Sequence, residues 1–242
     1  MRHLIAVVVL GLGAVVSFGC SADTFGPGDA GADGATPDAA NGDAGPCAGD
    51  VTKDPKNCGR CGNVCASGSC VAGACDHIVF ATSAQYDGNL GGTTGADKKC
   101  NALATAALLP GEYVAWASVT GDTALGRLYG SATPPPGRWV LTDKTTVVAT
   151  GFDGLSQPLL APIARDEKGA VVAPGQAISN TRPDGTTDKA TGTDCARFTS
   201  TSGGDKLCAG AVGSTGPDWS VSPTCTWACD FANHYHLYCF QK

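Results

Sequence analysis

The sequence is poor in charged residues, and it has fewer basic residues than acidic ones. Only 16% of the 242 residues are charged, and 16 Lys and Arg stand against 22 Asp and Glu, for a net charge of −6. A protein that binds nucleic acid needs a basic surface to neutralise phosphates. This composition offers no basic stripe, so we expect no nucleic-acid partner.

The sequence also lacks the short motifs of common enzymes. It contains no G-x-S-x-G elbow, no H-E-x-x-H motif and no phosphate-binding loop with its Lys. Beyond the N-terminal segment, only His77, His234 and His236 could serve as imidazole bases. We therefore expect no enzymatic activity and no cofactor. His234 and His236 could share a metal ion on one strand, but no third ligand is evident, so we predict no metal site.

The N-terminus has the features of an export signal. A basic start precedes an apolar run that is too short to span a membrane and ends in small residues, which is typical of a signal peptide, here residues 1–19. The small residue followed by Cys20 resembles the lipobox of bacterial lipoproteins, although Ser17 stands where that motif usually has an aliphatic residue. The resemblance implies a lipid on Cys20 and a membrane anchor. Because Ser21 is not Asp, we expect display at the outer membrane and cell surface, or else an extracellular location.

Residues 20–46 contain mainly Gly, Ala, Asp and Pro, with almost no aliphatic bulk. Such a segment cannot bury a core, so we predict a disordered linker. As a flexible coil of about 26 residues it would reach roughly 25–30 Å. It would hold the rest of the protein away from its anchor.

The 13 cysteines divide into a single residue and two groups of six. Cys20 stands alone, and it is the thiol that a lipid would take. Even groups in an exported chain predict two disulfide frameworks. The first group is Cys47, Cys58, Cys61, Cys65, Cys70 and Cys75, and the second is Cys100, Cys195, Cys208, Cys225, Cys229 and Cys239.

The first group defines a small module at residues 47–76. Its segment NCGRCGNVC, followed by SGSC and AGAC, resembles the Stig1-type cysteine-rich repeat, which implies an extracellular module held by internal disulfides. Six cysteines allow 15 pairings, so the pairing stays open. The spacing of Cys58 and Cys61 also fits zinc or redox chemistry. However, no thioredoxin-like pattern surrounds it, and an oxidising compartment does not maintain thiolates, so structural bridges are the preferred interpretation.

Residues 77–242 are long enough to form a domain with its own core. Thr93 or Thr94 can cap a helix that ends before Pro110, and residues 112–118 are predicted to form a strand. The final segment alternates, which places Cys239 on one face with Tyr235 and Leu237. Apolar residues at helical spacing are Ala96, Cys100, Leu103, Ala104 and Ala107.

Cys100 and Cys239 each lie on an apolar face of a predicted element and are candidate partners. A bridge between them would close a loop of roughly 140 residues. The chain-entropy model gives such a bridge on the order of 4–5 kcal/mol.

Four segments in this domain carry a family resemblance: FATSAQYDGNLGGTTGADKKCNALATAA, GEYVAWAS, TDCARFTS and HLYCF. They resemble the DUF1554 family of bacterial exported proteins, and the order of helix and strand is also similar to that of the endostatin domain. The resemblance implies an α+β, C-type-lectin-like domain whose first and last strands are paired. It also implies bridges Cys100–Cys239 and Cys195–Cys229, which leaves Cys208 with Cys225. The last two pairs could be exchanged, because Cys225 and Cys229 are close in sequence.

The polar loop at residues 180–194 is where lectin-like folds commonly meet ligands. Calcium-dependent sugar binding uses an E-P-N or Q-P-D tripeptide with a W-N-D acid pair. Residues 182–184 are R-P-D and residues 217–219 are P-D-W, so we predict no calcium site. The candidate ligand-binding residues are Asn180, Arg182, Asp184, Trp219 and Trp227. Either tryptophan could instead pack in the core.

These features predict an exported, lipid-anchored surface protein that binds a glycan or a surface protein without catalysis. One alternative is a structural envelope protein with no small ligand. A less favoured one is a hydrolase that acts on a surface polymer. A cleft that converges on a His and an acid would favour the hydrolase, and a flat face would favour the structural protein.

Overall fold

The computed structural model describes residues 49–188, 193–231 and 234–242. The predicted signal peptide and linker, together with Cys20 and Cys47, lie outside these residues. The described residues belong to one compact unit. None of the helices among them is both long enough and apolar enough to cross a membrane.

Short strands and long loops dominate the described part of the chain, with little helix. The architecture is therefore mixed α/β and mostly sheet. The elements are β1 (Cys70–Val71), β2 (Ala74–Cys75), β3 (His77–Ala81), α1 (Gly92–Ala106), β4 (Tyr113–Ala115), α2 (Ala124–Tyr129), β5 (Arg138–Val140), β6 (Val147–Thr150), β7 (Gly175–Ile178), α3 (Cys195–Phe198), β8 (Lys206–Leu207), β9 (Ala209–Val212), β10 (Trp227–Ala228) and β11 (Tyr235–Gln241), with 3₁₀-helices at Asp153–Ser156 and Pro217–Trp219.

The last strand, β11, is the centre of a seven-stranded sheet. It pairs antiparallel with β3 and with β4, and parallel with β7. The order along the sheet is β6-β5-β3-β11-β7-β9, with β4 also on β11. Cys239 lies opposite both Phe80 and Ala115, which fixes the two antiparallel registers. The first and last strands of the large domain are thus neighbours, and β5 and β6 form an antiparallel pair.

The predicted alternation of β11 is present, but both faces of the strand are buried. Leu237 and Cys239 lie in a hydrophobic core that includes α1. Phe240 lies in a second core, where its ring centroid is 4.5 Å from that of Trp116 and 4.9 Å from that of Trp139. A central strand covered on both sides needs apolar residues at nearly every position. The segment YHLYCF supplies them.

Helix α1 occupies the predicted helical segment and buries Cys100 at its middle. The predicted cap is wrong. Gly91, with a left-handed φ of 78°, is the N-cap residue, and no side chain caps the helix. Glycine adopts this conformation at no steric cost. Thr93 therefore lies inside the first turn, where its hydroxyl donates to the Asp122 carboxylate.

The cysteine-rich module is a β1–β2 hairpin with flanking turns. Two of its bridges are Cys58–Cys70 and Cys65–Cys75, and Cys61 is also disulfide-bonded. The module runs directly into β3 at Asp76, whose carboxylate pairs with Arg138 at the start of β5. It therefore joins the large domain through both the chain and an ion pair.

Three bridges hold the large domain together, and they are the pairs implied by the family resemblance. They are Cys100–Cys239, Cys195–Cys229 and Cys208–Cys225. The first ties α1 to β11 across 139 residues of sequence. The last spans 17 residues and lies beside the site described next.

Candidate functional site

The candidate site is an open groove of about 670 Å³ between two loops of the large domain. One wall is formed by residues 181–188, which follow β7, and the other by residues 217–223, which follow β9. We call it the loop groove. Its lining residues are Arg182, Pro183, Asp188, Pro217, Asp218, Val221, Ser222 and Pro223. Its volume falls within the range of sites that bind small molecules.

The first wall follows Asn180, which has a left-handed φ of 48°. Asparagine tolerates this conformation better than most residues do. A tight turn follows, closed by hydrogen bonds from the Arg182 and Gly185 amides. Gly185 has a φ of 76°, and a Cβ there would lie 2.8 Å from that of Leu125 in α2. The turn therefore rests directly on α2, which fixes the position of this wall.

The second wall is anchored by Trp219, which is buried rather than exposed. Only 1% of Trp219 is accessible, and its indole N–H donates to the Leu155 carbonyl at 3.2 Å. The prediction that Trp219 offers its face to a ligand is wrong, because that face packs against Trp116 and Tyr238. Trp219 instead holds Asp218 at the groove.

Buried hydrogen bonds join the two walls beneath the groove. The Ser220 hydroxyl donates to the Thr181 carbonyl at 2.5 Å and accepts from the Trp116 indole N–H at 2.7 Å. The Thr181 hydroxyl in turn lies 2.9 Å from that of Ser118. Satisfied buried polar networks of this kind rigidify a structure. The groove is therefore a preformed feature of the fold.

The Cys208–Cys225 bridge adds a covalent tie at the same place. Cys208 precedes β9, and its carbonyl accepts hydrogen bonds from the amides of Ser179 and Asn180, the two residues just before the first wall. Cys225 follows the second wall, and its sulfur lies 3.7 Å from the Asp188 carboxylate. One disulfide thus connects both walls to the sheet.

The loop groove combines an apolar surface with polar groups that still have free bonding capacity. Arg182 donates from Nε to the Asp188 carboxylate at 3.0 Å. Its terminal nitrogens have no acceptor among the described residues. Asp218 accepts the Ser214 hydroxyl on one oxygen, while no described residue donates to the other. The three charges sum to −1, and three prolines with Val221 supply the apolar part.

The other predicted ligand-binding residues lie outside the groove lining. Asn180 is 1% exposed and donates to the Ser118 carbonyl, while its own side-chain oxygen is buried and has no partner in the described part of the chain. Asp184 is exposed, and its carboxylate closes the turn by accepting from Thr186. Trp227 is half-buried beside His234 and Tyr235. Of the five candidates, only Arg182 lines the groove.

Several groove residues were not singled out from the sequence. Asp188 and Asp218 come from loops 30 residues apart, and Val221, Ser222 and Pro223 carry no motif. One signal was available: Pro183, Pro217 and Pro223 lie in two polar loops that a proposed disulfide would bring together. Prolines hold a loop in one conformation, and rigid loops suit a preformed site.

Among the described residues, no histidine belongs to a cluster of three or more potential metal ligands. His236 is buried, with Nδ1 2.6 Å from the Thr82 carbonyl and Nε2 3.1 Å from the Gln85 amide nitrogen. Nδ1 donates to the Thr82 carbonyl, and Nε2 accepts from the Gln85 amide. Both nitrogens are occupied, so His236 cannot share a metal ion with the exposed His234 without breaking these bonds.

A second cleft, of about 410 Å³, contains a carboxylate with a shifted pKa. Burial raises the pKa of Asp97, and the charge of Arg127 only partly opposes this. The guanidinium donates to Asp97, to Asp122 and to the carbonyls of Ala115 and Ala117. Every part of it is engaged in holding α1, α2 and β4 together. We interpret this network as structural.

Comparisons with known proteins give no assignment for this chain. No protein-family model matches it, and no curated protein matches it either.

Proposed function

We propose that the protein is an exported, lipid-anchored surface protein that binds a glycan through the loop groove without catalysis. The observation that carries this proposal is the composition of the groove: apolar proline and valine surface beside polar atoms of Arg182 and Asp218 that have no partner among the described residues. Sugars present C–H faces and hydroxyls side by side. Such a ligand can rest on the prolines while its hydroxyls donate to Asp218 and accept from Arg182.

The proposal includes a C-type-lectin-like fold for residues 77–242, in keeping with the resemblance to the DUF1554 and endostatin families. Three features support it: adjacent first and last strands, a bridge from α1 to β11, and a long region of loops between them. The same resemblance suggests a site in the loops. Export agrees with the many disulfides, and the proposed lipid on Cys20 would place the groove at the cell surface.

The test is a binding screen of the full-length protein, purified in detergent, against bacterial surface polysaccharides and a glycan array, followed by calorimetry. Each hit is measured with calcium and with chelator. We expect saturable binding that survives chelator. Binding that chelator abolishes would mean that the predicted absence of a metal site is wrong. The absence of any binding would overturn the proposal and favour a structural role or a protein partner.

Variants then locate the ligand. Ser222→Trp fills the groove and should abolish binding. Asp218→Asn removes a charged acceptor, which should weaken binding about 10- to 100-fold, since hydrogen bonds to charged groups contribute about 1.5–3 kcal/mol. Asp153→Asn makes the same change at an exposed carboxylate outside the groove, so it should leave affinity unchanged. Binding that Ser222→Trp does not affect would place the ligand elsewhere.

A further inference from the structure

Three aromatic side chains lie close to the loop groove but outside its lining. The His234 ring centroid is 5.3 Å from that of Phe231 and 6.4 Å from that of Trp227. We call these three residues the aromatic cluster. Phe231 is 49% exposed, His234 is exposed and Trp227 is half-buried. We propose that the aromatic cluster is a second sugar subsite, which continues the loop groove and selects a chain of uncharged sugars over a disaccharide. This inference rests on the proposed function of the groove.

The chain connects the cluster to the groove over a short distance. The Cys225 sulfur lies 3.7 Å from the carboxylate of Asp188, which lines the groove. Trp227 follows Cys225 by two residues, which span at most about 7 Å. Trp227 pairs with β8 immediately before Cys208, so the bridge that ties the groove walls also holds this end of the cluster. A sugar chain that leaves the groove along residues 224–226 therefore reaches the cluster.

Buried groups hold the cluster in place. Tyr235 is buried and packs edge-on against the rings of His234 and Trp227. Its hydroxyl donates to the Ala228 carbonyl at 2.7 Å. Cys229, which follows Ala228, is buried and disulfide-bonded. A surface that is already ordered loses little conformational entropy when a ligand binds to it.

The size of this surface favours a sugar over a protein partner. A stable protein interface buries about 800 Å² on each partner. Among the described residues from 181 to 242, Phe231 is the only exposed large apolar side chain, which is too little for such an interface. One aromatic ring does match the C–H face of one sugar ring. Asp230 is exposed beside Phe231, and no described residue donates a hydrogen bond to its carboxylate, so it can accept from a sugar hydroxyl.

The charges around both subsites favour an uncharged sugar chain. The groove lining holds one Arg and two Asp. The segment beside the cluster pairs with Ala228 and Cys229 and carries Asp205 and Lys206. With Asp230, these three charges also sum to −1. An acidic polysaccharide would therefore meet like charge at both subsites, which opposes binding.

The experiment measures how affinity depends on chain length. The full-length protein, in a detergent without a sugar headgroup, is titrated by calorimetry with maltose and maltohexaose, cellobiose and cellohexaose, and chitobiose and chitohexaose. Hexagalacturonate is the acidic comparison. We expect an uncharged hexasaccharide to bind about tenfold more tightly than its disaccharide, because a sugar ring on Phe231 removes much of its exposed apolar surface from water. Equal affinity for the two lengths, tighter binding of hexagalacturonate, or failure of all three uncharged hexasaccharides to bind would overturn the inference.

Variants locate the second subsite. Phe231→Ser should lower the affinity for the hexasaccharide to that for the disaccharide, and Phe231→Tyr should keep the original affinity. Val64→Ser removes an exposed apolar side chain from the module, so it is the matched control and should change neither affinity. In NMR spectra, the His234 ring resonances, identified by their loss in His234→Gln, should shift with the hexasaccharide and not with the disaccharide. Urea midpoints report whether each variant is folded.

The outcomes separate this inference from the proposed function. If Ser222→Trp abolishes glycan binding while Phe231→Ser leaves both affinities unchanged, the groove binds alone. The inference is then overturned and the proposed function stands. If Phe231→Ser weakens binding and Ser222→Trp does not, the cluster binds without the groove, which overturns the proposed site and its continuation together. Loss of hexasaccharide affinity in both variants, with the disaccharide affected by Ser222→Trp alone, supports one continuous site.

Discussion

The ion pair between Asp76 and Arg138 lies where the cysteine-rich module joins the large domain, and substitutions can test how much it contributes to stability. Asp76 is 2% exposed and accepts two hydrogen bonds from Arg138, at 2.9 and 2.7 Å, and one from the Ser69 hydroxyl, at 2.6 Å. Arg138→Gln removes the charged partner and leaves the buried carboxylate with the Ser69 hydroxyl and the backbone amide of residue 138. Removing one partner of a buried pair costs about 3–5 kcal/mol. Because 32% of the Arg138 side chain is exposed, solvent screening should reduce this to about 2–3 kcal/mol.

The pH dependence of this effect has a definite sign. Burial acts to raise the pKa of Asp76, but the hydrogen bonds from Arg138 and Ser69, with the charge of Arg138, outweigh it and lower the pKa. A lowered carboxyl pKa stabilises the folded state above the unfolded value of about 3.9. That contribution is lost as the pH falls through the folded pKa. The interaction energy between Asp76 and Arg138 should therefore be largest near neutral pH and shrink in acid.

The assay is a double-mutant cycle with Asp76→Asn, Arg138→Gln and both together, followed by urea unfolding with the disulfides intact. We expect an interaction energy of about 1–2 kcal/mol at pH 7. Arg165→Gln is the matched control, since its pair with Asp143 is more exposed and longer, at 3.4 Å, and should contribute less than about 1 kcal/mol. The reasoning is refuted if Arg138→Gln costs no more than this control, or if the interaction energy is the same in acid.

Three further predictions concern stability. Ala196 is exposed with a left-handed φ of 51°, so Ala196→Gly should stabilise the protein by about 1 kcal/mol. Ala102→Gly, at an exposed position of α1, should destabilise it by a similar amount. Urea midpoints of the two variants that move in the same direction would contradict this reasoning. Burial lowers the pKa of His77, so stability should fall as the pH drops below about 6.5, and His77→Phe should flatten that slope in thermal melts at pH 5–7. Cys100→Ala/Cys239→Ala opens a loop of 139 residues and should lose about 4–5 kcal/mol in urea unfolding; a loss below 2 kcal/mol would show that the unfolded chain is already compact.

The elements that could be predicted are those whose pattern is local. The apolar spacing of α1 and the alternation in β11 are each set by neighbouring residues, and the structure contains both elements. Cys100 and Cys239 could be paired because each lies on an apolar face of such an element. The cap at Gly91 was missed because a left-handed glycine depends on the path of the preceding loop, which no local pattern reveals.

Features that depend on distant segments were not predictable in the same way. The parallel pairing of β11 with β7 joins residues about 60 positions apart, and the antiparallel pairing of β7 with β9 brings the first wall of the groove next to the second. The sequence of β7, GQAI, has no alternation that would distinguish it from a loop. The groove follows from this pairing and from the Cys208–Cys225 bridge, so neither wall alone could indicate it.

The error over Asn180 and Trp219 has a physical cause that applies to loop-rich domains in general. Where regular strands are short, many backbone groups lack a sheet partner, and buried groups must still be satisfied. Polar loop side chains then turn inward to supply the missing bonds, as Asn180 does at Ser118. Polar residues in a loop therefore do not by themselves predict a ligand site, because their hydrogen bonds within the protein must be identified first. Once these bonds are identified over the described residues, Arg182 and Asp218 are the groove residues with polar atoms still free, and the binding test depends on them.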